Sequence, residues 1–279
     1  MSNEALKTSL TTSRTVSLSE RFKDDRHFVM ALARGLDVLA CFRSGSKMLG
    51  NQDIAQRCQL SKSTVSRLTA TLVKMGYLMH DEETGKYRLG MATLSLGIGM
   101  LAQLDIRPIA RPLMQELADF SQGMVTLGAR DRLSMLYIEN CRSRSALTLS
   151  MDVGSRIPLA TTAMGRAYLA EADPNEVREI TDRINELDDA SSASIIQGIE
   201  KAFVDYKNLG CTCSFGDWQE NVNGIAVGLK LGGSFPIMAI NCGGPSFNLS
   251  PEFLLNEVRP KLLDVAQRLR ETLGQLQEA

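Results

Sequence analysis

The sequence predicts an α+β protein in two parts: a small helical unit closed by a β-hairpin, then a larger unit built on an antiparallel sheet. Three observations carry that prediction. The chain has 279 residues, long for one compact domain and short for three. Helical periodicity runs from residue 28 to residue 75 and then gives way to a period of two. Beyond residue 107, strand-like runs fall into two groups separated by helices, the order of an antiparallel α+β domain rather than of alternating βαβ units.

Composition narrows the class. Apolar residues make up 44% and charged residues 23%, which argues against disorder, collagen-like repetition and a coiled-coil rod. No apolar run reaches the roughly 18 residues of a membrane span. The first twenty residues, MSNEALKTSLTTSRTVSLSE, lack a hydrophobic signal segment, so a cytoplasmic protein without a membrane partner is expected. Six cysteines, Cys41, Cys58, Cys141, Cys211, Cys213 and Cys242, are too sparse for a disulfide scaffold and read as reduced thiols. The net charge of −1 conceals a division. Residues 1–90 carry 14 basic against 9 acidic side chains, a net of +5, whereas residues 91–279 carry 17 against 23, a net of −6. The basic end is the expected nucleic-acid end, because neutralising phosphates supplies most non-specific binding energy.

Residues 1–25 are polar and without periodicity and read as a flexible arm. In FVMALARGLDVLACF, Val29, Leu32, Leu36, Leu39 and Phe42 recur every three or four positions, one face of a helix that Ser44, Gly45 and Ser46 end. Asn51 is the expected N-cap of a short helix whose Ile54, Ala55 and Cys58 share a face. After the tight connection Gln59-Leu60-Ser61, Ser61 is expected to cap a third helix, with Val65, Leu68, Leu72 and Met75 as its buried stripe and Gly76 as its left-handed C′ residue. Helix, three-residue turn and helix make a helix-turn-helix. Away from the stripe lie Lys62, Ser63, Thr64, Ser66, Arg67 and Thr71, donors gathered where base edges and phosphates would lie.

Tyr77-Leu78-Met79 and Lys86-Tyr87-Arg88-Leu89 then read as strands joined by HDEETG, with Gly85 at the positive-φ position of the turn. That hairpin is the wing of a winged helix, and it sets Lys86 and Arg88 on one face of the returning strand. Residues 91–106 are expected to form a linker helix whose Met91, Leu94, Ile98 and Leu101 pack on another subunit or domain. The reading therefore divides into an arm (1–25), a winged helix-turn-helix unit (26–90), the linker helix (91–106) and a second domain (107–279). In the last, a helix over 109–121 precedes strands near 124–128, 133–139 and 146–151 and the loop DVGSRIP. Helices, the strands 211–215, 224–231 and 237–242, and an amphipathic helix from Glu252 complete it.

The motif DIAQRCQLSKSTVSRLTATLVKMGYL followed by GKYRLG resembles the winged helix of the IclR family of bacterial transcriptional regulators. VGSRIPLATTAMGRAYLA, NVNGIAVGL and INCGGP are similar to that family's effector-domain signatures, and the resemblance covers about residues 28–275. It implies a GAF-like effector-binding domain after the linker, dimers or tetramers, double-stranded operator DNA as partner and a small organic acid as effector. RHFVMALARGL is like the subgroup that answers to aromatic carboxylates. Two positions depart from the pattern. Gln59 stands where the family usually has a turn glycine, at a cost of ~1 kcal/mol for a left-handed non-glycine residue. Asn223 and Asn241 replace an arginine and a small hydroxyl residue.

Independently of the resemblance, Thr161 and Thr162 are natural N-caps for the helix AMGRAYLA. Its start leaves the amides of Ala163, Met164 and Gly165 as donors for an anion. The resemblance adds the strand positions Ser214, Val222, Gly224, Asn241 and Gly243 opposite that helix start, with Met164 as an apolar wall or, equally, a core residue. No catalytic constellation is evident: His27 and His80 have no partner at a useful spacing, and no P-loop, GxGxxG or GxSxG motif occurs. Cys211 and Cys213 lack the further ligands of a metal site, and no cofactor is expected. The reading is thus a DNA-binding regulator tuned by a small carboxylate. Its rivals are a DNA-tethered enzyme acting on a small acid, which predicts turnover, and an architectural DNA-binding protein, which predicts no ligand response.

Overall fold

The computed structural model describes residues 25–42, 48–102, 106–143, 151–186, 191–232 and 235–278. The arm up to residue 24, the breakers Ser44 to Ser46 and the strand expected over 146–150 lie outside the described residues. The chain divides after Leu104 into two compact units.

The first unit holds α1 (Met30–Ala40), α2 (Asn51–Cys58), α3 (Lys62–Lys74), the hairpin strands β1 (Leu78–Asp81) and β2 (Lys86–Leu89), and α4 (Met91–Ala102). Val38, Cys41, Leu49, Ile54, Cys58, Val65 and Leu78 form its core. Leu49 adds a bridge to Tyr87 through two backbone hydrogen bonds of 3.0 and 2.8 Å, tying the segment before α2 to the wing. Ser61 caps α3, its hydroxyl accepting from the Thr64 amide at 3.3 Å. Gln59 takes the left-handed conformation, φ 55°. In the wing turn, the Asp81 carboxylate accepts from the amides of Thr84 and Glu83 at 2.9 and 3.0 Å, and Gly85 has φ 65°.

Several expectations for this unit are corrected. Gly50, not Asn51, is the N-cap of α2, and the Asp53 carboxylate accepts its amide at 2.9 Å; a carboxylate at the third helical position reaches back to that amide. Met75 is exposed, and Thr69 is buried in its place with its hydroxyl donating to Val65 O. The face of α1 marked by Val29, Leu32 and Leu36 points to solvent, while Val38 and Cys41 enter the core. On α4, Met91, Leu94 and Ile98 are exposed, and so are Leu96 and Met100 off the expected stripe.

The second unit starts with α5 (Ile106–Ser121). Pro108 lies within its first turn, where the missing N–H is one that the helix would leave unpaired anyway. Strands β3 (Met124–Asp131), β4 (Ser134–Arg142), β5 (Arg156–Pro158), β6 (Thr212–Phe215), β7 (Val222–Leu229) and β8 (Met238–Pro245) form one sheet in the order β5-β4-β3-β8-β7-β6, every neighbour antiparallel. Part of the expected loop DVGSRIP is therefore the edge strand β5. Between β5 and β6 run α6 (Ala163–Glu171), α7 (Pro174–Glu186) and α8 (Ser192–Leu209). The chain closes with a short α9 (Pro251–Phe253), a π-helical turn (Leu254–Val258) and α10 (Arg259–Glu278).

Alternation along the strands assigns the two faces of the sheet. Met124, Tyr137, Ala226 and Ala239 pack with Met164, Ala167 and Tyr168 of α6 in one apolar cluster. On the other face, Glu139 meets Arg107 and Arg111 of α5, and Cys242 donates to the Ser121 hydroxyl at 3.3 Å. An irregularity in the β3–β4 register at Leu127/Gly128 lets Tyr137 and Glu139, two residues apart, face opposite sides.

Candidate nucleic-acid interface and ligand site

On α3, Lys62, Ser63, Ser66, Arg67 and Thr71 are exposed and Thr64 is half-buried. The hydroxyls of Ser61, Ser63 and Thr64 are joined at 3.0 and 2.9 Å, so the first turn presents a preordered polar cluster. Lys62 Nζ donates to Gln52 Oε1 at 3.3 Å, linking the two helices of the motif on their outer side. Thr71 donates its hydroxyl to Arg67 O at 3.0 Å, which leaves it chiefly an acceptor outward. Lys86 and Arg88 are exposed on β2 at alternate positions, opposite Asp81 and Met79. Exposed cations beside a helix of hydroxyls and one guanidinium can neutralise phosphates and read base edges.

In the second unit, two rows of residues cross the sheet face beneath α6. The first row is Asn140, Thr126, Asn241, Ala226 and Thr212 on β4, β3, β8, β7 and β6. The second is Arg142, Met124, Gly243, Gly224 and Ser214 on the same strands. The start of α6 is tied to β6 at both rows: Thr212 donates to Ala163 O at 2.7 Å and Ser214 to Thr161 O at 3.0 Å. Gly224 and Gly243 pair across β7 and β8, so the second row has a floor with no side chains. A Cβ on Gly243 would lie 3.0 Å from Asn223 O, so the glycine allows β7 and β8 to approach closely there, with Asn241 Nδ2 beside it.

Polar groups surround this floor. The Thr126 hydroxyl donates to Asn241 Oδ1, and Thr126 is also hydrogen-bonded to the Tyr137 phenol, whose pKa burial pushes up to about 12. Arg142 Nη2 donates to Met151 O and, at 2.9 Å, to the Asp152 carboxylate. Among the described residues, three buried polar atoms here have no partner: Thr161 Oγ1, Asn140 Oδ1 and Arg142 Nε. Because Asn140 Nδ2 donates to Met151 O at 2.8 Å, the orphan atom of its amide is the acceptor oxygen.

The structure also redistributes the expected roles at the helix start. Thr162 alone caps α6, accepting from the Gly165 amide at 3.2 Å, so that amide is not available to an anion as expected. Ala163 and Met164 occupy the first two helical positions, whose amides have no acceptor within the helix. Thr161 is not a cap; its hydroxyl is one of the orphans. Gly165 serves close packing against its own chain, since a Cβ there would lie 1.9 Å from Leu159 O. Met164 is wholly buried, and a Cβ on Gly128 would lie 2.6 Å from its sulfur, so its side chain belongs to the core under the site.

Ser214, Gly224, Asn241 and Gly243 thus share the face beneath α6, and Val222 lies at the end of β7 on the same alternation. Asn223 faces the other way and donates to Leu249 O at 2.9 Å, which removes its departure from the family pattern from the site. Sequence reasoning missed Thr126, Tyr137, Asn140 and Arg142. Its only signal was a lone threonine within the apolar run MVTLG. It also missed Arg166, buried on α6, which donates to Ala160 O and Cys213 O, both at 3.0 Å, pairs with Asp217, and fastens the turn before α6 to β6. Among the described residues, no group of three or more His, Cys, Asp or Glu side chains is placed to hold a metal ion.

A helix-turn-helix with its wing, carried in one chain with an α/β unit of antiparallel sheet, defines a winged-helix DNA-binding protein. The bacterial transcriptional regulator IclR C-terminal model matches residues 98–271, and the IclR helix-turn-helix domain model matches residues 31–82. The chain belongs to the IclR family of DNA-binding transcriptional regulators. It is 33% identical over 244 residues to the HTH-type transcriptional regulator TsaQ1/TsaQ2 of Comamonas testosteroni, covering 87% of each chain. Among solved structures, it is similar to an IclR family transcriptional regulator from Brucella abortus at 41% identity and a TM-score of 0.83, over 90% of this chain and 95% of that one. The fold is shared at 22% identity and a TM-score of 0.69 with an IclR homolog from Microbacterium hydrocarbonoxydans complexed with 4-hydroxybenzoate, over 88% and 99% of the two chains. Among the described residues, no helix is long and apolar enough to cross a membrane.

Proposed function

We propose that this regulator acts in the cytoplasm as a homodimer on a palindromic operator, and that a small organic carboxylate bound in the second unit alters its operator affinity. Residues 26–90 grip the DNA, with Arg67 reading bases and Lys62, Lys86 and Arg88 meeting phosphates. Helix α4, the described part of the linker over 91–106, supplies the seam between copies, because its apolar side chains Met91, Leu94 and Ile98 are exposed. The effector lies in 107–279, over Gly224 and Gly243. Its carboxylate faces the amides of Ala163 and Met164, and Thr161, Ser214 and Asn241 surround it.

One observation carries the effector reading: the buried Thr161 hydroxyl without a partner, next to two paired positions with no side chains. A buried polar atom left unpaired costs about 1–3 kcal/mol, and a ligand that pairs with it recovers that cost. An acid that also carries a hydroxyl suits Asn140 Oδ1, an orphan acceptor on the same sheet face. The 4-hydroxybenzoate complex of the Microbacterium hydrocarbonoxydans homolog makes that acid the first probe.

The test is calorimetry with 4-hydroxybenzoate, simple carboxylates and their amides, alongside thermal shift. Binding to the native state alone stabilises by ~2.7 kcal/mol at a hundredfold excess over Kd. The amide binds several-fold to tens of times more weakly than the acid, because the helix start favours negative charge. Thr161→Val weakens the acid and leaves operator binding without effector unchanged. Equal affinity for acid and amide overturns the placement at α6. Turnover of the acid favours a DNA-tethered enzyme, and no response to any acid favours an architectural protein.

A further inference from the structure

Of the six thiols, Cys211 and Cys213 are hydrogen-bonded to each other at the start of β6 in the second unit, and Cys41 and Cys58 form the pair in the first. Cys242 donates to Ser121, Cys141 contacts Arg111 O, and Cys211 and Cys213 occupy alternate positions around β6. Cys41 and Cys58 face each other inside the core of the first unit, with Sγ atoms 3.0 Å apart. Cys41 is the C-cap residue of α1, and Cys58 is the last residue of α2, immediately before Gln59 and the turn that leads to the recognition helix. The sulfurs need approach by only about 1 Å to reach the 2.03–2.05 Å of a disulfide. A side chain already spans the same gap, since Arg57 Nη1 donates to the Cys41 carbonyl at 2.9 Å.

We propose that Cys41 and Cys58 are an oxidisable dithiol that a small hydroperoxide converts to an intramolecular disulfide, stapling the end of α1 to the turn of the helix-turn-helix without re-aiming α3. Each residue keeps 8% of its surface exposed, which suits a small peroxide rather than a bulky oxidant. The hydrogen bond to Cys41, and then burial, push the Cys58 thiol up. One of the two sulfurs attacks the peroxide, the O–O bond breaks, and that cysteine becomes a sulfenic acid as the departing oxygen leaves with the thiol proton as water or an alcohol. The other sulfur then attacks the sulfenic sulfur, the S–O bond breaks, and the departing oxygen leaves with the second thiol proton as water. Two thiols lose two electrons and the peroxide gains them.

A cross-link between residues 41 and 58 restricts the unfolded chain, and the short travel of the sulfurs leaves the recognition helix in place. The full chain is treated with stoichiometric hydrogen peroxide and read by peptide mapping, hydrogen exchange and operator binding. The expected result is a peptide pair linked between Cys41 and Cys58, reversed by dithiothreitol. Exchange at the α2 and α3 amides slows at least tenfold in the oxidised protein, and operator affinity stays within twofold. Cys41→Ser and Cys58→Ser each abolish the slowing, and Cys141→Ser keeps it. Mapping of the unmutated chain decides the matter even where a serine variant folds poorly. Sulfinic acid on one cysteine with no cross-link overturns the proposal, and so does a cross-linked protein that has lost its operator.

Discussion

Thr126 on β3 and Asn241 on β8 lie directly opposite each other, and the threonine hydroxyl donates to the asparagine amide oxygen with both side chains buried. The bond fixes which end of the Asn241 amide is oxygen and leaves the NH2 end beside Gly243. Thr126→Val keeps the shape and removes the donor, so Asn241 Oδ1 is left buried and unpaired. Urea denaturation is expected to show a loss of ~1–3 kcal/mol. Pairing it with Asn241→Ala gives a coupling energy of ~0.5–3 kcal/mol in a double-mutant cycle. A coupling near zero would mean that the contact does not organise the sheet face.

Arg67 is the one guanidinium on the exposed hydroxyl face of α3. Arg67→Ala is expected to reduce discrimination between operator and random DNA by roughly 1–3 kcal/mol, the worth of a bidentate contact to guanine. Lys62→Ala and Lys86→Ala weaken both kinds of DNA alike and flatten the dependence of affinity on salt. Anisotropy titrations at several salt concentrations separate the two behaviours. Full discrimination by the Arg67 variant would move base reading to another residue.

Gln59 adopts φ 55° with a Cβ that makes this conformation costly. Gln59→Gly removes the clash and is expected to stabilise the chain by about 1 kcal/mol with operator affinity retained. Destabilisation in a thermal melt would show that the glutamine side chain makes a contact worth more than the strain.

Leu94 and Ile98 are 51% and 56% exposed within the chain, so charges there leave its own core intact. Leu94→Glu with Ile98→Glu is therefore expected to yield a folded monomer, by sedimentation velocity together with circular dichroism. A dimer of unchanged mass would place the seam elsewhere.

The wing turn carries a pH dependence through Asp81. The amide of Thr84, ahead of the smaller contributions of the Thr84 hydroxyl and the Glu83 amide, holds its carboxyl below the usual value of 3.8 despite some desolvation. The folded pKa is thus below the unfolded one, so the contribution is present above about pH 4 and is lost as pH falls through the folded value. Asp81→Asn is expected to remove that acid response from the wing amides in NMR titrations. An unchanged response would assign it to another group.

Local chemistry was legible without the fold. Ser61 as a cap, Gly85 in the wing turn and the outward set of donors on α3 all depend on residues a few positions apart, whereas the left-handed Gln59 came from the resemblance. The winged-helix fold was legible for the same reason. The misreadings on α1 and at the start of α6 share one physical origin. A stripe at Val29, Leu32 and Leu36 defines a face of α1, but periodicity does not say whether the core or the solvent receives it, and here Val38 and Cys41 point inward. Likewise Thr161 and Thr162 are equivalent as caps until Ser214 holds the Thr161 carbonyl and Thr162 accepts from Gly165.

The sequence by itself determined the winged helix, the α+β order of the second unit and the helix start on which the candidate site is built, because those rest on short-range spacing and capping. Only the tertiary structure decided what stands opposite that helix. Thr126 meets Asn241 across 115 residues of chain, and Asn140 and Arg142 join them through a register that an irregularity beside Gly128 resets. Strand register is a cooperative outcome of long-range pairing, and shifting it by one residue turns every side chain to the other face. No local pattern could therefore have placed those four residues together.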